Sequence, residues 1–141
     1  MKTLESLDKF GFVEQRATGS SMMPFIKSGD KILIVKKIRR LTKGEIGLFL
    51  REDTLVLHRV KKVEKDGYLF SGDNRYRSDG FIQESQVVGR LIAIYKKSKK
   101  IECESKSFRR QSLLFNFWLF KPFLVFSMRL ISRIKSIGKK K

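Results

Sequence analysis

The stretch "TLVLHRVKKVEKDGYLFSGDN", residues 54–74, decides how the rest of the chain is read. Leu55, Leu57 and Arg59 alternate with Val56, His58 and Val60, the period of two that puts successive side chains on opposite faces of a strand. Asp66-Gly67 is a two-residue turn signal, and apolar residues resume after it, so the stretch reads as an antiparallel hairpin. The same look recurs on both sides. "KILIVKK" (residues 31–37) is a β-branched run bounded by charges, and Ile46 to Leu50 follows a Lys-Gly turn. "QVVGRLIAIYKK" (residues 86–97) is a last strand, in which Gly89 marks a bulge or a close backbone approach. Residues 1–18 read as a short helix or an entry strand. Short strands at roughly ten-residue spacing, with no helix among them, predict a mainly β fold, a small twisted barrel or sandwich.

Composition then divides the chain. Its 141 residues suit one domain with an appendage, and 41% hydrophobic content is enough for a real core. The net charge is +18, and the last 46 residues carry 14 basic and 2 acidic side chains, about two thirds of the excess. We expect a β domain over residues 1–95, a charged linker over 96–111 and a helical, aromatic, basic segment over 112–141. From Lys121 that segment sorts into an apolar face with Phe123, Leu124, Leu130 and Ile134, and a basic face with Lys121, Arg129 and Arg133. Lys121, Pro122 and Arg129 interrupt the run a spanning helix needs. The expected partner is therefore an anionic membrane surface, met by residues 113–141 with Trp118 and the phenylalanines inserted. A cytoplasmic location is the alternative. Nucleic acid fits less well, because these aromatics form one greasy block instead of a stacking platform among basic residues. The N-terminus has no apolar run of signal-peptide length, so it is expected to be retained. A single cysteine, Cys103, excludes an intrachain disulfide; with only one histidine besides, no metal site and no cofactor are expected.

Chemistry is suggested by "TGSSMMPFIKSGD", residues 18–30. A serine hydroxyl is a poor nucleophile until a neighbour takes its proton. Gly19 permits a tight turn that lifts a following serine and aims its backbone N–H at a developing oxyanion. The lone histidine, His58, lies on a predicted strand where a base could face that serine. "SGDNRYRSDGF" then offers Asp73 and Asp79, six residues apart, either of which could orient the imidazole.

In this order the pieces resemble the signal peptidase I family of serine peptidases and the related self-cleaving repressor peptidases. The resemblance runs from about Gly19 to Tyr95 through "GSSMMP", "SGDKILIVKK", "LTKGEIGLFL", "VLHRV", "SGDNRYRSD" and "VVGRL". It implies Ser21 as nucleophile, with Ser20 its nearest competitor. His58, in a His-Arg-Val context, corresponds to the base of the histidine-dependent archaeal and endoplasmic-reticulum type. Asp79 would support the histidine and Asp73 would be structural or auxiliary. Gly19 and the N–H of Ser21 would form the oxyanion turn, without the extra hydroxyl that some bacterial members carry two residues before the nucleophile. An imidazole, at an ordinary pKa of ~6.5, suits a base at neutral pH, whereas a lysine in that role must first be desolvated. The implied reaction is hydrolysis of an extended peptide with small residues before the cut, as in exported or leader-bearing precursors. A soluble, peptide-maturing or self-processing enzyme, or a non-catalytic membrane-binding β domain, are the alternatives. No span is found in the 20 residues before Ser21, so anchoring is expected of the aromatic C-terminal segment.

Overall fold

The hairpin predicted from residues 54–74 is present in the computed structural model, which describes residues 2–97, 99–115, 126, 127, 129–131 and 133. Helix α1 (Lys2–Phe10) leads into β1 (Phe12–Arg16). There follow β2 (Lys31–Lys36), β3 (Ile46–Arg51), β4 (Thr54–Glu64), β5 (Gly67–Ser71), β6 (Phe81–Gln83), a 3-10 turn (Glu84–Gln86) and β7 (Val87–Lys96). The last elements are β8 (Lys99–Glu102) and α2 (Lys106–Phe115). All pairings are antiparallel, and the strands run β1-β2-β7-β3-β4-β5-β6, with β8 added beside β7. The mainly β expectation holds: the eight strands form one curled, half-barrel sheet.

The alternation read from β4 is what builds two cores. Leu55 and Leu57 pack with Ile32, Ile34, Leu48 and Leu91 on one side. Val56 and Val60 join Phe49, Tyr68, Phe70 and Ile82 on the other. Strand β3 is covered on both faces, because Leu48 and Phe49 point into different clusters. Each such side chain taken out of water contributes about 1.5–3 kcal/mol, so a strand with two buried faces is among the costliest to displace.

Some local expectations are corrected. The two-residue hairpin loop is Lys65-Asp66, and Gly67 already belongs to β5. Gly67 is needed for a different reason: a Cβ there would stand 2.2 Å from the carbonyl oxygen of Ile82 on β6. Gly89 is a close approach, its notional Cβ 2.7 Å from Ile34 Cγ2, beside a register shift in the β3–β7 pairing. The stretch expected as a charged linker over 96–111 holds β8 and the first turns of α2. Its charges misled because Ile101 and Phe108 supply the apolar contacts among them. Ser105 caps α2, its Oγ accepting from the Phe108 N–H at 3.2 Å. Phe108 is 5% exposed and meets the Phe25 ring edge-on, centroids 5.6 Å apart. Cys103 is partly buried against the same core, and burial pushes its thiol up to about 12. The amphipathic segment expected over 112–141 lies largely outside the described residues, among which no helix is long and apolar enough to cross a membrane.

Candidate active site

Ser21 sits on a turn held from below. Met22 and Ile26, four residues apart, are 5% and 3% exposed and anchor the turn in the first core. The Ile26 N–H donates to the Met22 carbonyl at 3.0 Å, and the Met23 N–H to the Ser20 carbonyl at 3.2 Å. Gly19, with φ +78°, takes the left-handed backbone that starts the turn. Residues 17 and 30 close the loop, the Ala17 N–H donating to the Asp30 carbonyl at 2.8 Å. Ser21 is thereby raised immediately before two buried apolar anchors. Ser20 is exposed, and its contribution here is its carbonyl, which also accepts from Asn74 Nδ2 at 3.1 Å.

His58 projects from β4 towards that turn and is 4% exposed. Its Nε2 lies 3.0 Å from Ser21 Oγ, and its Nδ1 lies 2.5 Å from Asp79 Oδ2. With the proton on Nδ1, the ring donates to Asp79 and accepts from the serine hydroxyl, the tautomer a general base requires. The Phe49 ring packs edge-on to the imidazole at 6.3 Å. Asp79 is held in turn: its N–H donates to the Phe70 carbonyl at 2.8 Å, and Arg51 donates to Oδ1 at 3.2 Å. Of the two aspartates left open by the turn-rich loop, Asp79 is the one that meets His58.

Asp73 does something else. Fully buried, it accepts from Arg59 Nε and Nη2 at 2.8 and 2.7 Å, a fork-on-carboxylate pair inside the domain. Arg59 Nη1 also donates to the Gly44 carbonyl, and its guanidinium lies over Phe25 and Phe108, 5.2 and 5.6 Å from their centroids. The residue after the histidine thus faces away from the site and ties the loop after β5 to helix α2.

Three contributors were missed from the sequence. A Cβ on Gly72 would stand 2.6 Å from the Ser21 carbonyl oxygen and 3.1 Å from His58 Nε2. Only a bare backbone lets serine and imidazole close on each other there. Asn74 straps the nucleophile, its backbone N–H donating to the Ser21 carbonyl at 2.8 Å while its side chain holds Ser20. Arg51 is the third, through its contact with Asp79. The Gly-Asp-Asn triplet carries the signal for the first two, but of its three residues the sequence points to chemistry only at Asp73.

Beside Ser21 and His58 lies a cleft of about 380 Å³, bounded by residues 15–19 and 54–58 and floored by Met22, Ile26, Ile32 and Leu48. One wall is a strand edge on β4, and the other is the end of β1 with the residues that follow it. Among the described residues β5 pairs with β4 only from Arg59 onward, leaving residues 54–58 without a strand on that side, and β1 pairs with β2 alone. Among the described residues the Ser21 N–H has no protein acceptor, so a donor is left at the nucleophile.

A serine, an imidazole and a carboxylate stand in series at the mouth of a cleft in a curled antiparallel sheet, the arrangement that a Ser-His-Asp site requires. The chain belongs to the Peptidase S24-like family, whose model matches residues 12–92, more than half its length. No curated protein matches it. The family match carries a relationship to the superfamily that holds the self-cleaving repressors and signal peptidase I.

Proposed function

We propose that this chain is a serine endopeptidase of signal-peptidase type, using a histidine base, which cuts extended peptides or the leaders of exported precursors. The observation that carries the reading is the run Ser21 Oγ, His58 Nε2, His58 Nδ1, Asp79 Oδ2, with gaps of 3.0 and 2.5 Å, opening onto a cleft along an open strand edge of β4. An extended peptide adds to such an edge through main-chain hydrogen bonds, which fixes its register without demanding a particular sequence. His58 then takes the hydroxyl proton as Ser21 Oγ attacks the carbonyl carbon. The oxyanion is met by the Ser21 N–H, and Asp79 steadies the imidazolium. His58 passes its proton to the departing amine, leaving an acyl-Ser21 ester. Water, deprotonated by the same imidazole, releases the acid and restores the serine.

A fluorophosphonate probe tests this in the full chain. Wild type is expected to label, and Ser21→Ala to remove the label. Asp79→Asn is expected to slow labelling about 10³- to 10⁴-fold, because an amide no longer selects the right tautomer or supports the imidazolium. Labelling that persists in His58→Ala would overturn the histidine base, and none in wild type, with or without liposomes, would leave a non-catalytic binding domain as the reading.

The basic aromatic segment from Leu113 onward carries the enzyme to anionic membranes in this proposal. Truncation after residue 115 spares Phe108 and should abolish sedimentation with phosphatidylserine vesicles while leaving labelling in solution intact. Unchanged vesicle binding would remove the membrane from the picture.

A further inference from the structure

The cavities around Ser21 are rimmed by arginine. Arg16, Arg51 and Arg75 border the strand-edge cleft. Across Ser21 lies a second cavity, about 660 Å³, where Asn74 and Arg75 face residues 19–21 and Arg129 reaches in from the C-terminal segment. A third, about 370 Å³, gathers Arg51, Arg75, Arg77 and Arg129 beside Asp79. Arg75 lines all three. Arg129 is carried over the Tyr76 ring, 5.1 Å from its centroid.

Carboxylates are scarce there. Among the described residues lining these cavities Asp79 is the one acidic side chain, and it is already engaged by His58 and Arg51. Arg75 and Arg77 are exposed and make no ion pair among the described residues. Clefts lined by one sign of charge focus the field within them and raise the local concentration of the opposite sign. A guanidinium adds a fork that matches a carboxylate at two points.

We infer that the arginine rim is a specificity subsite for an acidic side chain of the peptide substrate, with Arg75 its principal contact. The subsite takes the segment on the far side of the scissile bond from the strand-paired one. The inference rests on the peptidase reading for its use, though not for its binding chemistry. A peptide chain fits better than a lipid headgroup because the arginines border concave cavities, two of which Ser21 itself lines. A chain leaving the strand-edge cleft across Ser21 enters the second cavity at Arg75.

The probes are three fluorescent decapeptides with three alanines before the scissile bond and Glu-Glu, Gln-Gln or Lys-Lys after it. Binding is read by fluorescence polarisation to full-length Ser21→Ala, which cannot cut. The Glu-Glu peptide is expected to bind about tenfold tighter than the Lys-Lys peptide at low salt, with the gap narrowing as salt rises. Adding Arg75→Glu should erase or reverse the order, and Arg75→Lys should keep part of it. Equal affinities for all three peptides, or a preference that survives Arg75→Glu, overturn the subsite. So does an Arg75→Glu variant that loses phosphatidylserine vesicles while still discriminating peptides, since the rim is then a lipid contact. Turnover of the same peptides by wild type separates the two readings. Charge-selective binding without cleavage removes the peptidase and keeps the subsite, whereas cleavage indifferent to charge does the reverse.

Discussion

At the scale of single residues, the site depends on one absent side chain as much as on three present ones. Gly72 is packed against both Ser21 and His58, and any Cβ there must push the serine's backbone away from the imidazole. Misplacing reacting groups by about 1 Å costs on the order of 10²-fold in rate. Gly72→Ala is therefore expected to cut peptidase turnover by about that factor or more while the protein still unfolds cooperatively. Near-wild-type turnover would mean that the turn yields easily and that the close approach is incidental. His58 was legible because it is the chain's lone imidazole and sits in an alternating strand. Residue type alone could not separate Asp79 from Asp73, since both stand in one polar loop, and only the family resemblance favoured Asp79. What separates them is that the Asp79 carboxylate reaches Nδ1 while Asp73 is turned inward onto Arg59.

At the scale of elements, the buried Arg59–Asp73 pair joins parts that are remote in sequence. It fastens the loop after β5 to β4, and the flat face of the guanidinium receives Phe25 from the nucleophile loop and Phe108 from α2. Removing one partner of such a pair strands a charge in the interior, a loss of about 3–5 kcal/mol. Asp73→Ala should lower the unfolding free energy from urea titration by that amount and move the midpoint down accordingly, and any loss of probe labelling should track the unfolded fraction. An unaltered midpoint would show that the pair contributes little beyond neutral packing. The strands were readable from period-two alternation. Strand β8 and helix α2 were not, because Lys99, Lys100, Lys106, Arg109 and Arg110 are solvated while Ile101 and Phe108 are the apolar side chains that turn inward, beside the small, polar Ser112. Two apolar anchors among many charges are too sparse a pattern to mark an element.

Over the whole molecule, acid stability offers a test of how the loop before β3 is held. Burial acts to raise the Glu45 carboxyl, but hydrogen bonds from Arg39 and from the Thr42 N–H outweigh it, bringing the pKa from 4.5 to about 2. A group whose folded pKa is depressed stabilises the fold above its unfolded value and loses that contribution as pH falls through the folded one. Stability should therefore drop between about pH 4.5 and pH 2. Glu45→Gln should be less stable than wild type at neutral pH and show a shallower decline across that window. Matching wild-type and variant curves in thermal unfolding over pH 2–6 would assign the acid sensitivity elsewhere.

Alternation, turn residues and charge placement determined on their own that this chain builds antiparallel strands, carries one imidazole on them and segregates its positive charge towards the end. Those features are local, because strand periodicity and side-chain chemistry act over a few residues. That the Asp79 carboxylate reaches the imidazole while Asp73 turns inward, which glycine makes room for the imidazole, and that an open edge of β4 faces the end of β1 across Ser21 were decided by the curl of the sheet. Each joins groups 14 to 40 or more positions apart, and such distances close only when the buried faces on both sides of β3 bring β1, β4 and the loop after β5 together.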